Sequence, residues 1–395
     1  MRRPLYRAVF LSLMLAAAAN ESGACTNTGS FERWMADFKA EARSKGISPR
    51  AVAALDGVTF DQGVINSDRG QKVFSQTFLE FSDRMAAKYR IEKGRQLIAK
   101  YKAIFDQIDQ RFGVPAPVIV AYWGLETDFG SNTGNLPTLR SLATLAYDCR
   151  RPDKFRAELL DALRIVERGD LRPEEMHGPW AGEMGQTQFV PSIYLKYGID
   201  GDGDGRADLI RSAPDALMSS ANYLHGLGWR RGEAWLKEVR VAESTPWAEA
   251  GLDVQHTAGE WKRLGVEGAE GVRDDLPASL LLPMGKNGPA FLAFNNFKVF
   301  LEWNQSLVYS TTVAYLANRI AGAPAVSRGH GLVPFGYEQT KELQGLLKAR
   351  GYEVGEVDGK LGLATRASIK KVQLKLGLPA DSYPSPELLA RLRAR

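Results

Sequence analysis

Two cysteines are the entire thiol supply of the 395 residues, Cys25 and Cys149. Their separation matches no metal-ligand or redox spacing, so a cysteine-built zinc site or a dithiol centre is excluded. In an oxidising compartment the two pair as a disulfide, the preferred reading. The rival reading has Cys25 carrying a lipid, although Ser22, Gly23 and Ala24 offer no aliphatic residue three places ahead of it. Dense Lys/Arg runs are also missing, which leaves nucleic acid without an electrostatic footprint. No apolar run is long enough to cross a bilayer, which takes about 20 residues. The apolar run at residues 8–19 follows Arg2, Arg3 and Arg7 and ends in Ala17 and Ala19, the pattern of an export signal over residues 1–24. Without that segment the net charge falls from +5 to +3.

What remains is an ordinary soluble composition, 44% hydrophobic and 25% charged, long enough for two or three cores. The mild basicity suits an anionic polymer such as a cell wall. Helical signals dominate the first three hundred residues. Ser30 caps a stripe of Phe31, Trp34, Met35 and Phe38 that Gly46 ends. A second helical stretch covers residues 86–113, and Pro115 and Pro117 open another through Val118, Val120 and Trp123 toward Gly130. Leu159, Leu160, Leu163 and Val166 form the apolar side of a fourth, ending near Gly169. Strand signals are few and fall between Val239 and Phe300, clearest at residues 280–282, so a small β element is expected there. Residues 322–336, rich in Gly and Pro, read as a linker. Residues 337–395 then offer three short helices: one with Leu343, Leu346 and Leu347, one with Ile369, Val372 and Leu376, and one opened by Ser385 and Pro386.

Four segments carry candidate chemistry. AYWGLETDFG, residues 121–130, sets Glu126 on an apolar helix with Tyr122 and Trp123 as its neighbours one turn back. An aromatic wall disfavours ionisation and raises a carboxyl pKa, as a general acid requires; a solvated helical Glu is the plain alternative. Residues 181–192 form a Gly-rich turn that places Gln188 to orient a sugar hydroxyl or amide, or that simply starts a helix at Pro191. In DGDGDGRAD, residues 200–208, Asp200, Asp202, Asp204 and Asp208 take positions 1, 3, 5 and 9 of a calcium loop, Gly205 the sharp turn, and Arg206 a backbone carbonyl ligand. Arg211 stands where a bidentate Glu is usual, and the next acid is Asp215. Four clustered acids repel unless neutralised, which favours a metal over a bare turn. Last, FNNFKVFLEWNQSLVYS, residues 294–310, joins Trp303, Asn304 and Tyr309, aromatic and amide groups that suit either a sugar cleft or a core.

These segments, in this order, resemble the lytic murein transglycosylase B family: Glu126 in an E-T-x-x-G setting, the AGxMGxxQFxPS turn, the Asp-rich loop running into the DAL segment at 215–229, and WNQSxxY. The resemblance covers most of residues 30–320. It implies a mainly α (α+β), lysozyme-like catalytic domain over 30–321 and a non-hydrolytic cut between N-acetylmuramic acid and N-acetylglucosamine that leaves 1,6-anhydro ends. It further implies Glu126 as acid/base, Gln188, Tyr223, Asn304 and Tyr309 as cleft residues, and a structural calcium on Asp200, Asp202, Asp204, Arg206 and Asp215. No cofactor is implied for the chemistry itself. Pro179 stands where many relatives have a cleft serine, and Trp303 where a tyrosine is often found. The tail is similar to the peptidoglycan-binding type 1 domain through Leu343, Gln344, Leu347, Gly351, Tyr352, DGKLGLAT at 358–365, Gln373 and LGLPAD at 376–381, with Val372 in place of the usual Phe. The expected partner is the peptidoglycan strand, met in the periplasm by a monomer without a transmembrane segment. A hydrolytic muramidase, with Glu183 as second carboxylate, and a wall-binding scaffold without activity stay open as alternatives.

Overall fold

The computed structural model describes residues 27, 29–70, 76–333 and 335–394. The export segment and Cys25 lie outside them, while Cys149 is disulfide-bonded. Among the described residues no helix is long and apolar enough to cross a membrane.

The molecule is built around the helix Ala116–Thr127, where nine of twelve residues are buried. A helix that is apolar all round belongs in the middle of a core. Pro115 is its N-cap and Pro117 sits in its first turn, as the two prolines foretold. Around it pack Leu307–Ile320, Lys88–Lys100 and Ala213–Gly226. Gly94 allows the closest approach: a Cβ there would lie 3.0 Å from the Val120 side chain. The expected 86–113 helix is two helices, Lys88–Lys100 and Lys102–Phe112, broken at Tyr101. Tyr101 leaves helical geometry and packs its ring edge-on against Trp123 at 5.9 Å, a contact no local pattern announces.

A second core joins Phe31–Ser44, capped by Ser30, to Thr138–Tyr147 and Pro152–Arg168. A short ribbon of β1 (Leu136–Pro137) and β2 (His177–Gly178) lies beside it. The third core backs an antiparallel five-stranded sheet of β3 (Leu236–Val241), β4 (His256–Thr257), β5 (Val266–Glu267), β6 (Pro277–Leu281) and β7 (Ala290–Phe294) in the order β4-β6-β7-β3-β5. Its register pairs Leu280 with Leu292 and Leu281 with Phe291. Every residue of β7 is buried because one face of the sheet meets the central core and the other covers Trp261. The sheet has more strands than the sequence showed, since two-residue strands are too short to display alternation.

The tail forms the expected three helices, Tyr337–Lys348, Leu363–Leu376 and Pro386–Arg393. The segment before it is no free tether. Val326 is buried, Ser327 N donates to Glu238 Oε1 (2.7 Å), His330 N to Asn287 O (2.8 Å), and Arg328 pairs with Asp83 (2.6 Å). The tail itself is bolted down by Arg366, whose buried guanidinium donates to Leu282 O (3.2 Å) and Pro283 O (2.5 Å), and by Lys370, which donates to Ala250 O (2.8 Å). Burial pushes the Arg366 pKa down to about 10, which leaves it cationic at neutral pH. Arg366→Met strips two buried carbonyls of their donor, at a cost of about 1–3 kcal/mol. Urea unfolding should show that loss, and limited proteolysis should cut the 322–336 segment faster.

Candidate active site

Glu126 lies on the last turn of the central helix. The helix stops there because Asp128, Phe129 and Gly130 all take left-handed backbone angles, with φ of 50°, 61° and 80°. Asp128 turns away, accepting from Arg90 Nε (3.3 Å) and Tyr89 Oη (3.2 Å). Glu126 instead faces a cleft of about 390 Å³ lined by Pro179, Trp180, Glu183, Gln188, Tyr223, Trp303 and Asn304, among others. A larger hollow of about 830 Å³, between β3 and the 323–330 segment, holds none of these residues.

The carboxyl is held on one side only. Oε1 accepts from Tyr309 Oη in a short hydrogen bond and from Trp303 Nε1 at 3.3 Å. Oε2 has no hydrogen bond among the described residues and is left to the cleft. Burial pushes the Glu126 pKa up to about 7; the Tyr309 and Trp303 donors pull it down, and the Glu183 carboxyl pushes it up. The indole N–H of Trp303 supplies the donor that a tyrosine hydroxyl would give.

The aromatic wall is not quite the one the helix spacing implied. Tyr122 lies beneath the site, stacked on Trp303 at 4.0 Å, with its hydroxyl buried and unpartnered among the described residues. Trp123 points elsewhere, its Nε1 donating to Gln186 Oε1 at 2.9 Å. The wall continues from Trp303 to Tyr223 (5.0 Å) and on to Tyr197 (4.9 Å). Helix spacing makes both residues neighbours of Glu126, but tertiary partners set where their rings go: Trp303 holds Tyr122 and Gln186 holds Trp123.

The Gly-rich turn is a closed loop in which Met184 and Phe189 exchange backbone hydrogen bonds, N to O at 2.8 and 2.9 Å. Gln188 takes a left-handed φ of 55°, and its Nε2 donates to Gly185 O (2.9 Å) and Thr133 O (3.2 Å), so its amide nitrogen is already engaged. Gly178 is required beneath this loop, because a Cβ there would lie 1.8 Å from Glu183 O. Asn304 accepts from Ser306 N at 2.9 Å and has its Nδ2 unbonded among the described residues. The structure thus brings Glu126, Gln188, Tyr223 and Asn304 to one cleft, with Tyr309 behind Glu126. Sequence reading weighed Glu183 only as a hydrolase's second acid. It lines the same wall, burial pushes its carboxyl upward, and Lys154 and Arg151 pull it down. Trp180 and Ile193, also in the lining, carry no sequence signal of their own.

On the far side of the turn, oxygens of Asp200, Asp202 and Asp204 lie within 4.8 Å of one another. Asp200 accepts from Gly203 N (2.6 Å) and Gly205 N (2.8 Å), which wraps the loop around its carboxylate and holds it below the usual range. Fully buried Asp215 accepts from Gly201 N (2.9 Å), Asp202 N (3.2 Å) and Asp208 N (2.6 Å). Asp208 is committed to Arg206 (2.8 Å) and Arg211 (2.7 Å), so it is not one of the converging acids. The three converging carboxylates on a loop pinned at both ends fit a hard divalent cation.

This architecture has known counterparts. A family model described as transglycosylase SLT domain matches residues 30–318, and a putative peptidoglycan binding domain model matches residues 336–392. The membrane-bound lytic murein transglycosylase B of Escherichia coli (strain K12) is 28% identical over 246 residues, covering 62% of this chain and 67% of its own. SltB3 from Pseudomonas aeruginosa, solved in complex with NAG-anhNAM-pentapeptide, is 40% identical and superimposes with a TM-score of 0.85 over 92% of this chain and 99% of its own. The Escherichia coli lytic transglycosylase Slt35 in complex with calcium, 25% identical, superimposes with a TM-score of 0.64 over 73% of this chain and 92% of its own. With a lysozyme-like helical fold and a family match spanning most of its length, the chain belongs to the transglycosylase SLT domain family.

Proposed function

We propose that Glu126 carries, alone, the acid and base chemistry of this peptidoglycan lytic transglycosylase. The enzyme cleaves the bond between N-acetylmuramic acid and N-acetylglucosamine in peptidoglycan and leaves 1,6-anhydro ends. One observation carries the assignment to Glu126: a sheltered carboxyl, its pKa pushed up to about 7 by burial, with one oxygen tethered and the other open to a cleft. In the first half-reaction the protonated carboxyl gives its proton to the leaving glycosidic oxygen. In the second, the carboxylate takes the proton from the muramic C6 hydroxyl as that oxygen closes on C1. No water is consumed and the carboxyl ends protonated, ready for the next cut. Intramolecular attack replaces an ordered water and a second catalytic acid.

Tyr309 orients Glu126, Tyr223 gives a ring face to a sugar, Gln188 offers its amide oxygen as an acceptor, and Asn304 its amide nitrogen as a donor. Asp200, Asp202 and Asp204, with the Arg206 carbonyl, would hold a structural calcium that takes no part in bond breaking, whereas the Asp215 carboxylate, expected as a further ligand, is taken up by the backbone N–H groups of Gly201, Asp202 and Asp208 and braces the loop instead. The tail holds the polymer and raises its local concentration. The chain is exported and acts in the periplasm, a reading supported by the N-terminal segment and by the wall-directed relatives.

Digestion of purified murein followed by mass spectrometry tests the cut. Muropeptides lighter by one water than their lysozyme counterparts are expected, and products of full hydrolytic mass would transfer the mechanism to a hydrolase using Glu183. For the loop, Ca²⁺ at about a hundredfold excess over its Kd should raise Tm by roughly 3 °C. Asp200→Asn with Asp202→Asn should abolish the rise, and an unchanged Tm in the native chain would remove the metal.

A further inference from the structure

The carboxyl of Glu126 sits on a helix terminus, where backbone hydrogen bonds run out and fraying begins. What keeps that turn in place is Gln186, two residues from the glutamine singled out in the sequence and directed away from the cleft. It is 6% exposed, and it is bonded on every side. Its Oε1 accepts from Trp123 Nε1 (2.9 Å) and its backbone O from Thr127 Oγ1 (2.6 Å). Its Nε2 donates to Ile210 O (3.3 Å) and its backbone N to Leu209 O (2.9 Å). Thr127 Oγ1 also accepts from Gly130 N at 2.9 Å, which closes the end of the helix. Next to Gln186, Ser220 Oγ bonds to Thr187 Oγ1 at 3.0 Å and ties the same strand of the loop to the helix Ala213–Gly226.

Trp123 and Thr127 bracket Glu126 in the sequence, three residues before it and one after. Both are therefore fastened to one buried residue, Trp123 through its side-chain amide and Thr127 through its backbone carbonyl, and that residue is itself fastened to the segment that follows the acidic loop. We infer that Gln186 is a positioning residue for Glu126: it fixes the rotation of the last helical turn, and so the reach of Oε2 to the leaving oxygen, without touching substrate. This rests on Glu126 being the acid/base group. Its physical basis is the steep dependence of proton transfer on geometry, in which a displacement of about 1 Å costs about a hundredfold in rate.

The test is steady-state kinetics on soluble uncrosslinked glycan strands with Gln186→Met, Trp123→Phe and the double variant, each checked for folding by circular dichroism at the assay temperature. For Gln186→Met, kcat should fall about 10- to 100-fold with KM within twofold. The double variant should be no slower than Gln186→Met, because both changes break one link. The alkaline limb of the rate profile should also move to lower pH. A loosened turn admits water to a carboxyl whose charged neighbour is Glu183 and whose phenolic neighbours are Tyr309 and Tyr122. A kcat within twofold of the parent, or single effects that multiply in the double, would overturn the inference. If Gln186→Met does not fold, Trp123→Phe alone should reproduce the kcat loss, because it breaks the same link from the other side, and full activity of that variant is likewise fatal. Glu126→Gln run in parallel separates the two ideas: full activity there removes the premise, whereas loss there with a fully active Gln186→Met removes the positioning role alone.

Discussion

Glu126→Gln is expected to lower murein solubilisation by about 10³-fold or more while leaving the fold intact. Removing a general acid or base costs about 10²–10⁴-fold, and here one group serves both half-reactions. The same change should be stabilising above neutrality. The Glu126 pKa is raised in the folded protein to about 7 from an ordinary 4.5. Below pH 4.5 the carboxyl is neutral whether the chain is folded or not, and its neutral form fits the site. As pH rises from there toward 7 the unfolded chain ionises first, so stability falls across that window by as much as about 3 kcal/mol and stays low above it. Glutamine does not titrate, so from pH 5 to 8 the variant should lose less Tm than the parent, the gap between the two widening as pH rises. Parallel melts and murein assays check both halves. A variant at full speed, or a gap that does not widen over that range, contradicts the assignment.

Tyr309→Phe should give the second largest loss, about 10- to 100-fold in kcat. Its hydroxyl donates to Oε1, and a hydrogen bond to a charged group contributes about 1.5–3 kcal/mol. The donor favours the ionised carboxyl, so its removal moves the Glu126 pKa further up. Proton donation then persists to higher pH while proton acceptance in the second half-reaction weakens. The rate profile should shift toward alkaline pH as its height falls. Phenylalanine keeps the ring, so KM should hardly change. An unshifted profile would mean that Trp303 alone orients the carboxyl.

Much of this protein is written in local pattern. Ser30 caps the first helix and Pro115 the central one, and Gly113 and Gly169 end helices in the left-handed region, because capping and backbone preference act over a few residues. The acidic loop and the three tail helices were legible for the same reason, whereas Glu126 stood out only through the joint resemblance of four separated segments, since its own stretch equally suits a solvated helical Glu. Tertiary structure alone decided which groups meet. Trp303 and Tyr309 lie 177 and 183 residues from Glu126, yet they supply its donors. Gln186 lies 63 residues from Trp123, and the arginine that bolts the tail down lies 84 residues from the carbonyl of Leu282. A burial-driven pKa belongs to the enclosure and not to the residue, and an enclosure is assembled by elements distant in the chain, so no window of sequence contains it.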